Sequence, residues 1–234
     1  MTDLERLISG RFDELAATPM FCRDVAPDDF ELKAALEWLG DVRSRVVLDL
    51  GCARGRFVKA LSAFGARVVG VDRSWQLLHT APKNAGGSPF VLSTATRLPF
   101  ADSTYDGVLC IEVIEHIPEL EAALSEIARV LKPGGRAIII DKNPVGVGYH
   151  RVYPNWLYKA TMERLDRWSY PRAFPFREQW LTPWSLRRKL RSHFARVEIR
   201  YLDGRVKGLR GRLLGPLFKL VPVLRPDVAW CCQK

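Results

Sequence analysis

Apolar runs and amphipathic stretches alternate along residues 46–141 at the spacing of strand–helix–strand units. Val46-Val47-Leu48-Asp49-Leu50 runs into a glycine-rich turn, and Val68-Val69-Gly70-Val71-Asp72 is a second apolar run that ends in an acid. The pattern predicts strands near 46–49, 67–72, 89–92, 105–111 and 137–141. Helices fall between them. One runs over 57–64 after Gly55, and the clearest covers 119–131, ended by Pro133-Gly134-Gly135. Such alternation makes a parallel sheet with helices on its faces. Residues 195–201 alternate as a further strand, and 228–233 supply a last one. Ahead of the sheet, Leu4, Leu7, Ile8, Phe12 and Leu15 keep helical spacing. Phe30, Leu32, Ala35, Leu36 and Leu39 do the same after the start signal Pro27-Asp28-Asp29.

Two segments exceed an ordinary connection. Residues 144–183 are rich in aromatics (Tyr149, Tyr153, Trp156, Tyr158, Trp168 and Tyr170 among them), and a helix is expected over 155–168. The segment follows the carboxyl end of a strand, the edge where open α/β sheets bind ligands. It reads either as an aromatic lid over an apolar acceptor or as ordinary packing. Residues 204–226 separate the last two strands. Leu213, Leu214, Leu217, Phe218 and Val221 can share one helical face, with Arg205, Lys207, Arg210, Arg212 and Lys219 in water. Gly215, Pro216 and Pro222 argue against one continuous helix, although Pro216 can begin a short one.

With 234 residues, 47% of them hydrophobic, the chain suits one domain over 1–234: helices at 1–44, a sheet core at 45–143, the insertion at 144–183 and C-terminal strands at 184–234. No apolar run approaches the ~18 residues of a membrane-spanning helix, and the first residues lack the pattern of a signal peptide. Cysteines 22, 52, 110, 231 and 232 show no zinc or disulfide spacing, which suits a reducing cytoplasm. Cys231 and Cys232 point to opposite faces of their strand. The net charge of +10 is uneven: twelve lysines or arginines face two acids between Leu186 and Arg225, an excess equal to that of the whole chain. Anionic lipid on the inner face of a membrane, nucleic acid, a phosphorylated substrate or plain solvent would all suit that segment.

Gly51-Cys52-Ala53-Arg54-Gly55 is the kind of turn that lets a ligand approach backbone N–H groups, although Ala53 stands where dinucleotide loops usually carry a third glycine. Asp72 follows at the distance of a ribose-binding carboxylate. Leu98-Pro99-Phe100, the run 105–110 and Leu131-Lys132-Pro133-Gly134-Gly135-Arg136 complete four landmarks in order. With them the chain resembles the class I S-adenosylmethionine-dependent methyltransferases, most closely the small-molecule branch that includes ubiquinone- and menaquinone-pathway enzymes. The resemblance fades after Asn143. It implies a Rossmann-like, doubly wound, mainly parallel seven-stranded sheet with an antiparallel C-terminal hairpin and an insertion after the fifth strand. In that family N-terminal helices often cover the site, although the apolar stripes here read first as plain core packing.

The resemblance implies S-adenosyl-L-methionine as cofactor and a set of contacts. Asp72 would hold the ribose diol. The backbone of Gly51, Cys52, Ala53 and Gly55 would pass the methionine tail, and Asp49 would orient its ammonium. Arg73 and Ser74 would flank the adenine. Thr94 stands where many relatives place an acid, which shifts weight to the backbone of Ala95. Cys110 and Ile111 would run beside the sulfonium arm. For methyl transfer to a hydroxyl, His116 is the candidate base, because an imidazole titrates near neutrality, with Glu112 beside it. Glu112, Glu115 and His116 also resemble a Glu-x-x-Glu-His metal cluster of certain O-methyltransferases, but Arg177 replaces the further histidine of the RNA enzymes. The leading expectation is O-methylation of a small lipophilic or lipid-linked acceptor. RNA methylation and a catalytically silent, cofactor-binding membrane adaptor are the alternatives.

Overall fold

The computed structural model describes residues 2–18, 21, 24–81, 85, 87–148 and 153–234. Five parallel strands come first: β1 (Val46–Leu50), β2 (Arg67–Asp72), β3 (Phe90–Leu92), β4 (Tyr105–Ile111) and β5 (Leu131–Lys142). β6 (Arg196–Leu202) and β7 (Asp227–Gln233) complete a seven-stranded sheet in the order β3-β2-β1-β4-β5-β7-β6. β7 lies antiparallel to both neighbours, so its first residue, Asp227, reaches the same edge as the ends of the parallel strands; it pairs with Lys142. The doubly wound fold with its antiparallel C-terminal pair is the one the sequence leads one to expect.

Side chains of each strand alternate between two cores. On one face Val108, Cys110, Trp230 and Cys232 meet Ala123, Leu124 and Ile127 of α5 (Leu120–Val130) and Leu186 and Leu190 of α7 (Pro183–Leu190). On the other, Val47, Leu109, Ile138 and Cys231 meet Trp38 of α2 (Phe30–Leu39) and Phe57 and Leu61 of α3 (Arg56–Ala63). Cys231 and Cys232 therefore point to opposite faces, as expected, and both are buried free thiols; Cys22 lies outside the described residues. α1 (Asp3–Leu15) opens with a capping box, Thr2 and Glu5 each closing the other's backbone N–H. α1 packs on α4 (Trp75–Thr80) and buries Ile8 against Tyr170 and Phe176.

Three expectations need correction. The helix expected over 155–168 is α6 (Asn155–Arg164). Asp166 turns left-handed (φ +56°), and the Asp166 and Arg167 N–H groups bond the carbonyls of Glu163 and Met162, a Schellman end made without glycine. α5 stops at Val130, before Pro133-Gly134-Gly135, because Leu131 already enters β5, which starts earlier than 137. Residues 208–220 form one helix, α8 (Gly208–Leu220), with Pro216 inside it. Leu214 and Phe218 turn inward on α8 while Leu213 and Leu217 face out. Two i,i+4 apolar pairs lie on different sides of one helix, and only one can be buried. Among the described residues no helix is long and apolar enough to cross a membrane.

Trp230 sits between β5 and β6 with no exposed surface, and its indole N–H donates to the Pro183 carbonyl at 2.9 Å, anchoring α7. Trp230→Ala is expected to cost about 3–5 kcal/mol, measured as a lower urea midpoint. A loss under about 1 kcal/mol would contradict this account of the core.

Candidate functional site

The turn after β1 is held by backbone bonds. The N–H groups of Gly51 and Cys52 donate to the Val71 carbonyl at 2.7 and 3.0 Å, and Ala53 N–H donates to Asp72 Oδ2 at 2.8 Å. Gly51 has φ +74°, and a methyl group there would come within 2.2 Å of Val113. Gly55, also left-handed, starts α3 and lies against the Phe90 ring, 2.8 Å from where its own methyl would sit. Ala53 is left-handed too (φ +48°), so the missing third glycine leaves a strained alanine at the tip, a cost of about 1–2 kcal/mol.

Two cavities meet at this turn. The smaller holds about 620 Å³ and is lined by Asp72, Arg73, Leu77, Thr94 and Ala95. The larger holds about 1740 Å³ and is lined by Asp49, Arg56, Phe57, Tyr158 and Trp168. Phe12, Phe21, Gly51, Ala53, Glu112 and His116 belong to both walls. α1 closes the smaller one. Arg73 Nε donates to Ser9 Oγ at 3.2 Å and its Nη2 to the Glu5 carbonyl at 3.2 Å, while Ser74 Oγ bonds Asp13 at 2.5 Å.

Buried acids crowd this edge. Asp49 is pushed up to about 7 by burial, opposed by Arg56 and reinforced by the charge of Asp72. Its Oδ2 is buried with no hydrogen-bond partner. Burial also raises Asp72, against N–H groups from Ser74 and Ala53 at 2.8 Å each. Asp227 rises to about 7 by burial, against Arg205. Glu115 goes the other way. Burial opposes it, but Lys142 Nζ at 2.7 Å and His116 hold it down to about 2.

Glu112, left-handed at φ +54°, accepts from Arg205 Nη2 at 2.7 Å; the same nitrogen donates to Glu31 at 2.8 Å, and Arg205 Nε donates to Asp227 at 2.8 Å. The metal set considered from the sequence is thus met by protein cations: Arg205 at Glu112 and Lys142 at Glu115. Among the described residues no His/Cys/Asp/Glu group is arranged to hold a metal ion. Arg177 spends its guanidinium on the carbonyls of Tyr170, Pro171 and Arg172.

His116 lies edge-on to Phe12 and Tyr170 at 5.0 and 5.7 Å. Its Nδ1 is 3.2 Å from the Tyr170 hydroxyl, and its Nε2 is 3.5 Å from Glu115. Cys110 is fully buried in the core, and Ile111 and Glu112 face the larger cavity in its place. Thr94 Oγ1 lies 3.0 Å from Thr96 Oγ1, which donates to Glu5 Oε1 at 2.7 Å, so a carboxylate from α1 stands behind the neutral threonine. Sequence reading missed Glu5 and Lys142, named Tyr170 only as one aromatic of the insertion, and expected Arg205 in water, where the structure turns it inward onto Glu31, Glu112 and Asp227. Glu5 carried only the signal Thr2-x-x-Glu5, which marks a helix start and says nothing of a cavity.

The fold and the site define an α/β domain with two adjoining cavities at the carboxyl ends of β1 and β2. A family model for a methyltransferase domain matches residues 48–139. Demethylmenaquinone methyltransferase from Streptomyces avermitilis is 30% identical, over 65% of this chain and 68% of that one. Ubiquinone biosynthesis O-methyltransferase from Alkalilimnicola ehrlichii is 29% identical, over 62% of this chain and 66% of that one. A crystal structure of a SAM-dependent methyltransferase from Thermotoga maritima superposes with a TM-score of 0.65 at 17% identity, covering 98% of this chain and 99% of that chain. The chain belongs to the class I S-adenosylmethionine-dependent methyltransferases. It is an enzyme of that family, with S-adenosylmethionine as its cofactor.

The residues present suit that cofactor. It is cationic, and the orphaned oxygen of Asp49 beside the turn suits an ammonium. Each Asp72 oxygen accepts one N–H and keeps a lone pair for a hydroxyl.

The raised acids fix how stability depends on pH. An unfolded aspartate titrates near 3.8, whereas Asp49 and Asp227 titrate near 7 in the fold. The stability they contribute is complete below the unfolded value and is lost as pH climbs through the folded one, about 1.4 kcal/mol for each unit of elevation. The cofactor-free protein is expected to melt at a lower temperature at pH about 8 than at about 5, with a smaller drop in Asp49→Asn. Equal drops in a calorimetric pH series would remove Asp49 from this account.

Proposed function

We propose that this methyltransferase acts on a small lipophilic or lipid-linked acceptor and methylates oxygen. The observation that carries the reading is the junction of the two cavities at Glu112 and His116. Asp72 lies on the smaller side; the larger side holds Asp49 and Arg56 near the turn and is walled further out by Phe57, Tyr158 and Trp168, so the cofactor would span the junction with its tail toward Asp49. Aromatic walls favour a flat, apolar acceptor. The names of the two curated relatives, a quinone-pathway pair, agree with that chemistry.

S-adenosylmethionine supplies the methyl group, on a carbon activated by a sulfonium. The rest falls to the side chains. Asp72 binds the ribose diol, Asp49 takes the ammonium, and Gly51 with Ala53 lets the backbone come close. Thr94, Ala95 and Arg73 border the base, with Glu5 polarising the threonine pair. His116 accepts the acceptor's hydroxyl proton at Nδ1, where Tyr170 now bonds, and ionised Glu115 beside Nε2 stabilises the imidazolium. Arg205 and Lys142 keep Glu112 and Glu115 from repelling the phenolate that forms. Closure of α1 over the smaller cavity excludes water.

Incubation with radiolabelled methyl donor and fractionated lysate tests the acceptor class. Label is expected in the lipid-extractable fraction, in an alkali-stable ether; label in RNA or protein, or on carbon or nitrogen, overturns the proposal. Asp72→Ala is expected to weaken cofactor binding by about 1.5–3 kcal/mol, read by titration calorimetry, and an unchanged affinity removes Asp72 from the diol. His116→Ala should lower turnover by about 10²–10⁴-fold and abolish the low-pH limb of the rate profile, while cofactor affinity stays put. Full turnover with an unaltered profile rules out the base.

A further inference from the structure

α8 is amphipathic the wrong way round for a helix in water. Its inward side is anchored by Phe218, 2% exposed, and by Leu214; both close over Gly148, where an added methyl would come within 3.9 Å and 3.0 Å of them. Its outward side is leucine. Leu209, Leu213 and Leu220 are 71%, 64% and 82% exposed, and Leu217 stands between them on the same stripe, at spacings of four, four and three residues. Arg212 and Lys219 flank that stripe on the surface. With Lys207 they form no ion pair among the described residues. Not one acid occurs from 204 to 226, against six lysines and arginines.

We propose that α8 docks this protein on an anionic lipid bilayer, its leucine stripe entering the acyl boundary while Lys207, Arg212 and Lys219 meet the headgroups. Charge complementarity decides the occupant. A second copy would bring like charges face to face across a symmetric contact. Nucleic acid would meet the cations but leave aliphatic leucines where stacking aromatics are needed. A bilayer satisfies both halves of the pattern. Elsewhere on the surface Trp156 and Leu157 of α6 are exposed, and tryptophan is a residue that favours lipid–water interfaces. Tyr158 of α6 and Arg205, in the arm that leads into α8, both line the larger cavity. The surface does not depend on which atom is methylated.

Vesicle sedimentation tests the proposal with no acceptor or methyl donor present. Pelleting is expected with phosphatidylcholine vesicles containing phosphatidylglycerol and absent with phosphatidylcholine alone, and it should disappear between about 0.1 and 0.5 M salt. The surface variants Leu213→Ser/Leu220→Ser and Arg212→Glu/Lys219→Glu should each lower the bound fraction by about tenfold, with calorimetric cofactor affinity unchanged as proof of folding. Four outcomes overturn it: no pelleting, equal pelleting on neutral vesicles, variants that pellet like the parent, or vesicle-free self-association or RNA retention abolished by the same variants. Loss of cofactor binding in the parent protein would instead strike the methyltransferase reading and leave the pelleting result standing.

Discussion

The crowding of carboxylates at one edge of the sheet is the constraint around which the site is built. Parallel strands deliver Asp49, Asp72 and Asp141 to their carboxyl ends, Glu112 and Glu115 follow β4, and antiparallel β7 brings Asp227 to the same edge. Buried charges of one sign are tolerated only when they are paired or neutralised. Two cations do most of that work. Lys142 sits among Glu112, Glu115 and Asp141 at 3.6, 2.7 and 3.8 Å, and Arg205 joins Glu31, Glu112 and Asp227. Asp49 and Asp72 are left with N–H groups and a more distant Arg56. Of these six acids, four meet a protein cation, and two, Asp49 and Asp72, have none in direct contact and suit an external one.

The same accounting gives α1 its place. Arg73 follows Asp72 directly, yet its guanidinium turns away to the carbonyl of Glu5, Ser9 and the carbonyl of His116. It therefore ties the base candidate, the end of β2 and the N-terminal helix to one another. Asp13, further along α1, accepts from Ser74 and from the N–H of Gln76 at the start of α4. Beside these bonds α1 buries Ile8 against Tyr170 and Phe176, so the cover is held by apolar packing as well as by polar contacts.

Much of this was legible before the fold. Strand periodicity and the acids that end β1 and β2 are local signals, and the turn 51–55 announced close approach through its glycines. What stayed hidden was either chemistry that breaks a local rule or contact over long sequence distance. Asp166 ends α6 in a left-handed conformation that usually calls for glycine, so the helix looked longer. Pro216 looked like a break because its ring removes one helical bond, yet Leu214 and Phe218 supply enough burial to carry α8 through it. Arg205 reaches Glu112 across 93 residues, and Glu5 reaches Thr96 across 91. No window of sequence contains such pairs.

That split has a structural logic. The match to the methyltransferase domain covers residues 48–139, from β1 almost to the end of β5. This stretch forms the turn, Asp49, Asp72, Glu112, Glu115 and His116, the groups to which the proposed reading gives the donor and the proton. The larger cavity shares the turn, Phe57, Glu112 and His116 with that stretch and takes the rest of its wall from elsewhere: Phe12 and Phe21 from before β1, Tyr158 and Trp168 from the insertion after β5, and Arg205 from the arm before α8. A sheet edge rigid enough to orient a sulfonium cannot also be reshaped for each acceptor, so on the proposed reading the segments spliced around the sheet are the ones free to vary with the acceptor. The arm that brings Arg205 to the larger cavity runs directly into α8, whose leucines stand exposed.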